Sequence, residues 1–302
     1  MCVFFFLDMR HSPHASVSLF FLLIGLLHLG FSRISDCLFP ILLERELLFT
    51  LILYTLVPAS YYFVLYALIS KLCSLREQSN ALHASLLGVI MSIGILILIR
   101  SPDKWTIACY IIHLSFFHWS EFYFSALYNR EQIVNIDLYM FNHSPSYNLA
   151  LLFSFIEYSL ETFLFNCQWK SNLQFISLFG LISSICGEIL RKTSLVHAGQ
   201  NFNHYIEYSA RDGHNLVTSG VYSFFRHPGY AGWFLFSCST QLMLLNPVSL
   251  IGFILASWKF FDDRVYEEEI ALVNMFGQAY VDYKKAVPSG VPFVYGVKFN
   301  TQ

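Results

Sequence analysis

Residues 213–233, GHNLVTSGVYSFFRHPGYAGW, crowd His214, Tyr222, Arg226, His227, Pro228 and Tyr230 against the start of an apolar run. Pro228 lacks an N–H and suits the first turn of a helix, and it pushes His227 toward an extended conformation. Such a helix start presents free backbone N–H groups and the positive end of the helix dipole. Gly229 and Gly232 would admit a ligand or a neighbouring helix. Histidine, tyrosine and free N–H groups in one corner suit a polar cofactor. Further on, WKFFDDRVYEEEIAL places Arg264 four residues before Glu268, on one helical face. A guanidinium fork grips a carboxylate in a bidentate manner, although a charge run also suits a helix leaving a membrane with its charges solvated. No Ser/His/Asp or Cys/His arrangement for nucleophilic catalysis stands in the chain.

The elements that must position these groups are apolar. The chain is 56% hydrophobic, 18% aromatic and 13% charged, against about 25% charged in a soluble domain. It reads as an all-α, polytopic membrane protein. Apolar runs near 15–31, 47–69, 81–99, 105–127, 148–166, 172–190, 229–245 and 248–265 give about eight spans, each of roughly 20 residues. No small-residue cleavage site follows the first run, so it is read as a span rather than a signal peptide. Only Asn246-Pro247 separates the last two runs, which predicts a C-terminal helical hairpin. Glu121, Glu157 and Glu161 fall within spans and need partners or a wet cavity.

With eight spans, eleven Lys/Arg fall on the side of the termini and five on the other, which places both termini and the 199–228 connection in the cytosol. The expected division is 1–198, the first six spans, and 199–302, the cofactor-binding and catalytic region. A net charge of −2 argues against nucleic-acid binding. The seven cysteines form no CxxC pair and signal no metal site. Cys37, Cys73, Cys109, Cys167, Cys186 and Cys238, mostly in or beside apolar runs, are expected to be small buried hydrophobes.

HNLVTSGVYSFFRHPGYAGW, the NP hairpin and WKFFDDRVYEEEIAL…FGQAYVDYKKAVPSGVPF together resemble the C-terminal half of the isoprenylcysteine carboxyl methyltransferase family, over about 202–297. The resemblance implies a multi-pass endoplasmic reticulum enzyme. It would move a methyl group from S-adenosyl-L-methionine to the C-terminal prenylcysteine carboxylate of CaaX proteins such as Ras- and Rho-like small GTPases. By position it implies cofactor contacts from Glu207, His214, Asn215, Leu216, Val217, Tyr222, His227, Pro228, Gly229, Tyr230 and Glu268. Arg264 falls at the substrate position and carries the catalytic role. Two positions depart from the family pattern. Glu207 stands where glutamine is expected, so it would accept from an ammonium but not donate, and Asp262 replaces a basic residue.

A C-terminal carboxyl has a pKa of about 3.5, so it is already a nucleophile and needs no general base. The prenyl tail explains a membrane location. Other membrane enzymes of the superfamily remain open: a phospholipid methyltransferase would not need Arg264, and an NADPH-dependent sterol reductase should show a basic pair beside His214 or His227. A transporter is disfavoured by the concentration of polar residues at one end of the chain.

Overall fold

The computed structural model describes residues 12–27, 63–129, 136–141, 145–164 and 169–298, and every regular element among them is helical. The helices are α1 (Pro13–Leu26), α2 (Phe63–Leu72), α3 (Leu75–Arg100), α4 (Trp105–Tyr128), α5 (Pro145–Ser159), α6 (Gln174–Ala198), α7 (Pro228–Leu244), α8 (Pro247–Phe276) and α9 (Gln278–Ala286). A π turn, Leu160–Leu164, extends α5. The runs expected at 15–31 and 47–69 lie partly outside the described residues, and the other six fall largely on α3 to α8. Among the described residues, Glu77–Arg100 and Gln174–Asn201 are long and apolar enough to cross a bilayer by length and composition, while Pro13–Leu26 and Phe63–Leu72 are shorter apolar helices.

The chain forms two compact units, residues 1–127 with 134–140 and residues 128–133 with 141–302. In the first, α1 and α3 touch along Gly25 and Gly88, where a methyl on either would strike the other backbone. Small residues permit this approach where lipid offers no hydrophobic drive between helices. Tyr139 anchors the unit. Its ring stacks on Phe122 at 4.3 Å, and its hydroxyl donates to Asn80 Oδ1 at 2.6 Å.

The second unit carries the site. Gly187 of α6 meets the backbone of α7 at Gly232 and Phe236, and Gly232 meets Arg191. This pairing joins α6 to α7 in one compact unit, which also takes in α5. α7 and α8 form the expected hairpin. Leu245 is left-handed (φ 54°), and Pro247 opens α8. The turn is locked by polar groups the sequence left unpartnered. Glu157 accepts from the N–H groups of Val248 and Ser249 at 2.8 and 2.6 Å, capping α8. Lys170 pairs with Glu161 at 2.7 Å and donates to Leu244 O, the last carbonyl of α7, at 3.0 Å. Asn246, 1% exposed, donates to Ser154 O at 2.9 Å. Both helix ends thus meet groups of the sign that their dipoles favour.

The cysteines differ from expectation. Cys73, Cys109 and Cys238 are half-buried and Cys186 is exposed on α6, while Cys37 and Cys167 lie outside the described residues. A membrane helix turns apolar side chains toward lipid as readily as toward its neighbours, so an apolar run is no measure of burial.

Candidate active site

The 199–227 connection folds over the start of α7 and the later turns of α8. Asn201 Oδ1 accepts from Asn215 N at 2.9 Å, and Tyr222 N turns back to Ser219 O at 3.2 Å. His227, with φ −123° and ψ 59°, leaves the helix non-helically before Pro228. One cavity results. His214, Asn215, Leu216, Val217, Tyr222, His227, Pro228, Gly229, Tyr230 and Glu268 all line it. Glu207 does not. It stands one step out, 3.5 Å from His214 Nδ1 and 3.4 Å from Arg211 Nε, and accepts from Asn203 Nδ2 at 2.8 Å.

The cavity also takes in residues the sequence reading missed. Leu272 and Phe276 follow Glu268 at four-residue steps, so one face of α8 continues the wall. That spacing was a usable signal. Asn201, Phe202 and Asn203 come from the connection, Arg226 from beside the HP pair, and Tyr280 and Tyr283 from α9. Nothing local in those stretches announces it.

Arg264 lies one turn before Glu268 and outside the lining. Its Nε donates to Tyr230 Oη at 3.0 Å and its Nη2 to His204 O at 2.7 Å. Tyr230 in turn donates to Glu268 Oε2 at 2.5 Å. The tyrosine therefore joins the arginine to the cavity's carboxylate. Its ring stacks against His227, with centroids 5.5 Å apart and planes 9° from parallel.

The electrostatics leave the cavity without a phenolate. Burial and the charge of Glu268 push the Tyr222 phenol up, burial lifts Tyr283 to about 12 despite Arg226, and burial with Glu269 raises Tyr280. These groups stay O–H donors at neutral pH. Behind them lies Glu269. Burial would raise its carboxyl, but hydrogen bonds and charges from His227, Lys284 and Arg226 hold it down at about 2. The cavity thus combines a carboxylate, side-chain amides, neutral O–H groups and aromatic faces. It suits recognition and orientation of a polar ligand.

Residues 178–274 match the model of the isoprenylcysteine carboxyl methyltransferase (ICMT) family. The protein-S-isoprenylcysteine O-methyltransferase of Xenopus laevis is 44% identical over 218 residues, covering 72% of this chain and 75% of its own. The Homo sapiens protein of that name is 42% identical, covering 72% and 76%. A solved structure of the eukaryotic intramembrane Ras methyltransferase ICMT superposes with a TM-score of 0.84 at 34% identity, covering 95% of this chain and 100% of that one. With the helical hairpin, the HP-headed cavity and the Arg264–Glu268 face on one scaffold, the chain belongs to the isoprenylcysteine carboxyl methyltransferase family.

Proposed function

We propose that this protein esterifies the C-terminal carboxylate of prenylcysteine with a methyl group taken from S-adenosylmethionine. The observation that carries the reading is the link Arg264–Tyr230–Glu268, which ties a carboxylate-gripping cation to the wall of the cavity. The donor set fits the cofactor. A zwitterionic sulfonium nucleoside needs an acceptor for its ammonium, donors for its carboxylate, and flat faces for its purine and its positive sulfur. Glu268, Asn201, Asn203, Asn215, Tyr222, Phe276 and Tyr283 supply these around one space. When bound, the cofactor supplies an electrophilic methyl group.

The chain's own residues have the remaining tasks. Arg264 is held by Tyr230 and His204 before any acceptor arrives, so its fork is preorganised to orient a carboxylate. The apolar wall of Leu216, Val217, Leu272 and Phe276 excludes water. Glu207, outside the lining, acts through His214 rather than on the cofactor directly. Eight spans with both termini and the cavity in the cytosol would let the soluble cofactor enter from water. The acceptor's tail would stay in lipid, in the endoplasmic reticulum membrane, with Ras- and Rho-like CaaX proteins as acceptors. The working division is then 1–198 for anchoring and 199–302 for chemistry.

Purified protein incubated with labelled S-adenosylmethionine and a farnesylated cysteine analogue should yield a base-labile methyl ester. Transfer to phosphatidylethanolamine in place of the analogue would overturn the acceptor assignment. A tag at residue 302 reachable only from the lumen would overturn the orientation.

A further inference from the structure

We propose that Glu269 is a positioning residue for methyl transfer, and that it makes the C-terminal segment 287–298 a working part of the cofactor cavity. The inference rests on reading that cavity as the S-adenosylmethionine site. Glu268 and Glu269 are adjacent, yet one residue turns an α-helix by about 100°, so they serve different neighbours. Glu268 lines the cavity. Glu269 is 0% exposed and faces the segment behind it.

Its Oε1 accepts from Arg226 Nε at 3.0 Å and Nη2 at 2.8 Å and from Tyr280 Oη at 3.1 Å, with His227 Nε2 at 3.5 Å. Its Oε2 accepts from Val297 N at 2.9 Å and from Lys284 Nζ. Arg226, His227 and Tyr280 all line the cavity. One carboxylate therefore holds two of its walls, Arg226 and Tyr280, by hydrogen bonds and stands beside the third, His227.

The segment is built to reach that carboxylate. Arg226 N and His227 N donate to Pro288 O and Ser289 O at 2.9 and 3.0 Å. Val291 and Val294 are buried with Ala231, Phe261 and Val265. Gly296 has φ +69°, and a methyl there would fall 2.0 Å from Glu269 Oε2, so only glycine lets the backbone come this close. From Glu269 the contacts continue through His227, stacked on Tyr230, to Arg264. A displaced carboxylate would carry Arg226 and Tyr280 with it and leave His227 without its neighbouring charge, and small misplacements at a reacting centre are costly.

The test uses the full chain with Glu269→Asp, which keeps the charge but shortens its reach. Gly296→Ala acts from the segment and Lys284→Gln from α9, and neither residue lines the cavity. Melting temperature, S-adenosylmethionine Kd and the KM for a farnesylcysteine analogue are measured on the same preparations. Folded variants should show a cofactor Kd raised about tenfold or more. The acceptor KM should stay within about twofold, because Arg264 keeps its own hold on His204. Lys284→Arg should restore affinity. Unchanged cofactor Kd, with maximal rate falling only as the folded fraction falls, would overturn the proposal. So would loss of the fold in all three variants, which would make Glu269 a residue of the fold alone. Wild-type protein that fails to bind S-adenosylmethionine would instead overturn the functional reading on which the proposal rests.

Discussion

α7 and α8 begin alike and end up with different work. Each starts at a proline preceded by a polar, non-helical residue, His227-Pro228 in one case and Asn246-Pro247 in the other. Each start must satisfy backbone N–H groups that have no partner within the helix. At α8 the protein supplies the partner itself, the carboxylate of Glu157. At α7 the start opens into a cavity whose wall includes Pro228 and Gly229. A helix terminus is thus a structural joint when another element fills it, and part of a cavity wall when the chain keeps it clear.

The largest expected effect falls on the open end and concerns pH. Glu269 is held at about 2, below the ordinary carboxylate value of 4.5. A lowered pKa contributes stability that is present above the ordinary value and is lost as pH falls through it toward 2. Denaturation at pH 7 and pH 3 should show a loss of about 2 kcal/mol, with a flatter slope in Glu269→Gln. Equal slopes would mean that the buried cluster does not hold the carboxyl down.

Next comes Arg264→Lys, which keeps the charge and loses the fork. It should cost at least about tenfold in kcat/KM, roughly 1.4 kcal/mol, and wild-type kinetics would remove Arg264 from the acceptor site. Tyr230→Phe removes the hydroxyl shared by Arg264 and Glu268. Cofactor Kd should rise about fivefold, the worth of roughly 1 kcal/mol for one hydrogen bond; calorimetric titration checks it, and an unchanged Kd would cut the link between the two residues. The smallest effect belongs to the closed end. Glu157→Gln should lower stability by about 0.5–1 kcal/mol in thermal melts with kcat/KM unaltered. A kinetic defect there would erase the distinction between joint and site.

Much of the open end was legible because the residue types are unusual for their setting. Histidine, asparagine and tyrosine against an apolar run at 213–233 mark a place where water or a ligand must be met. The hairpin was equally plain from Asn246-Pro247. What stayed hidden depends on partners distant in sequence. Glu268 and Glu269 are the same residue type in one charge run, and only the folded segment 287–298 distinguishes them. Arg226 read as part of a polar loop, yet its guanidinium is buried against Glu269. Glu207 aligned with the cofactor set but is turned to Arg211 and His214 instead. The Glu157 and Glu161 partners lie across the hairpin turn, where no local pattern points.

The unbroken length of α8 has a consequence for where chemistry can happen. Thirty residues without a kink make a rod of about 45 Å, longer than a hydrocarbon core of about 30 Å. Arg264 stands 17 residues from Pro247, about 26 Å along that rod. The helix is therefore a ruler with its zero at the hairpin turn. It fixes how far Arg264 stands from that turn. With that turn at one face of a bilayer, the membrane's thickness would decide how far the arginine stands from the other face.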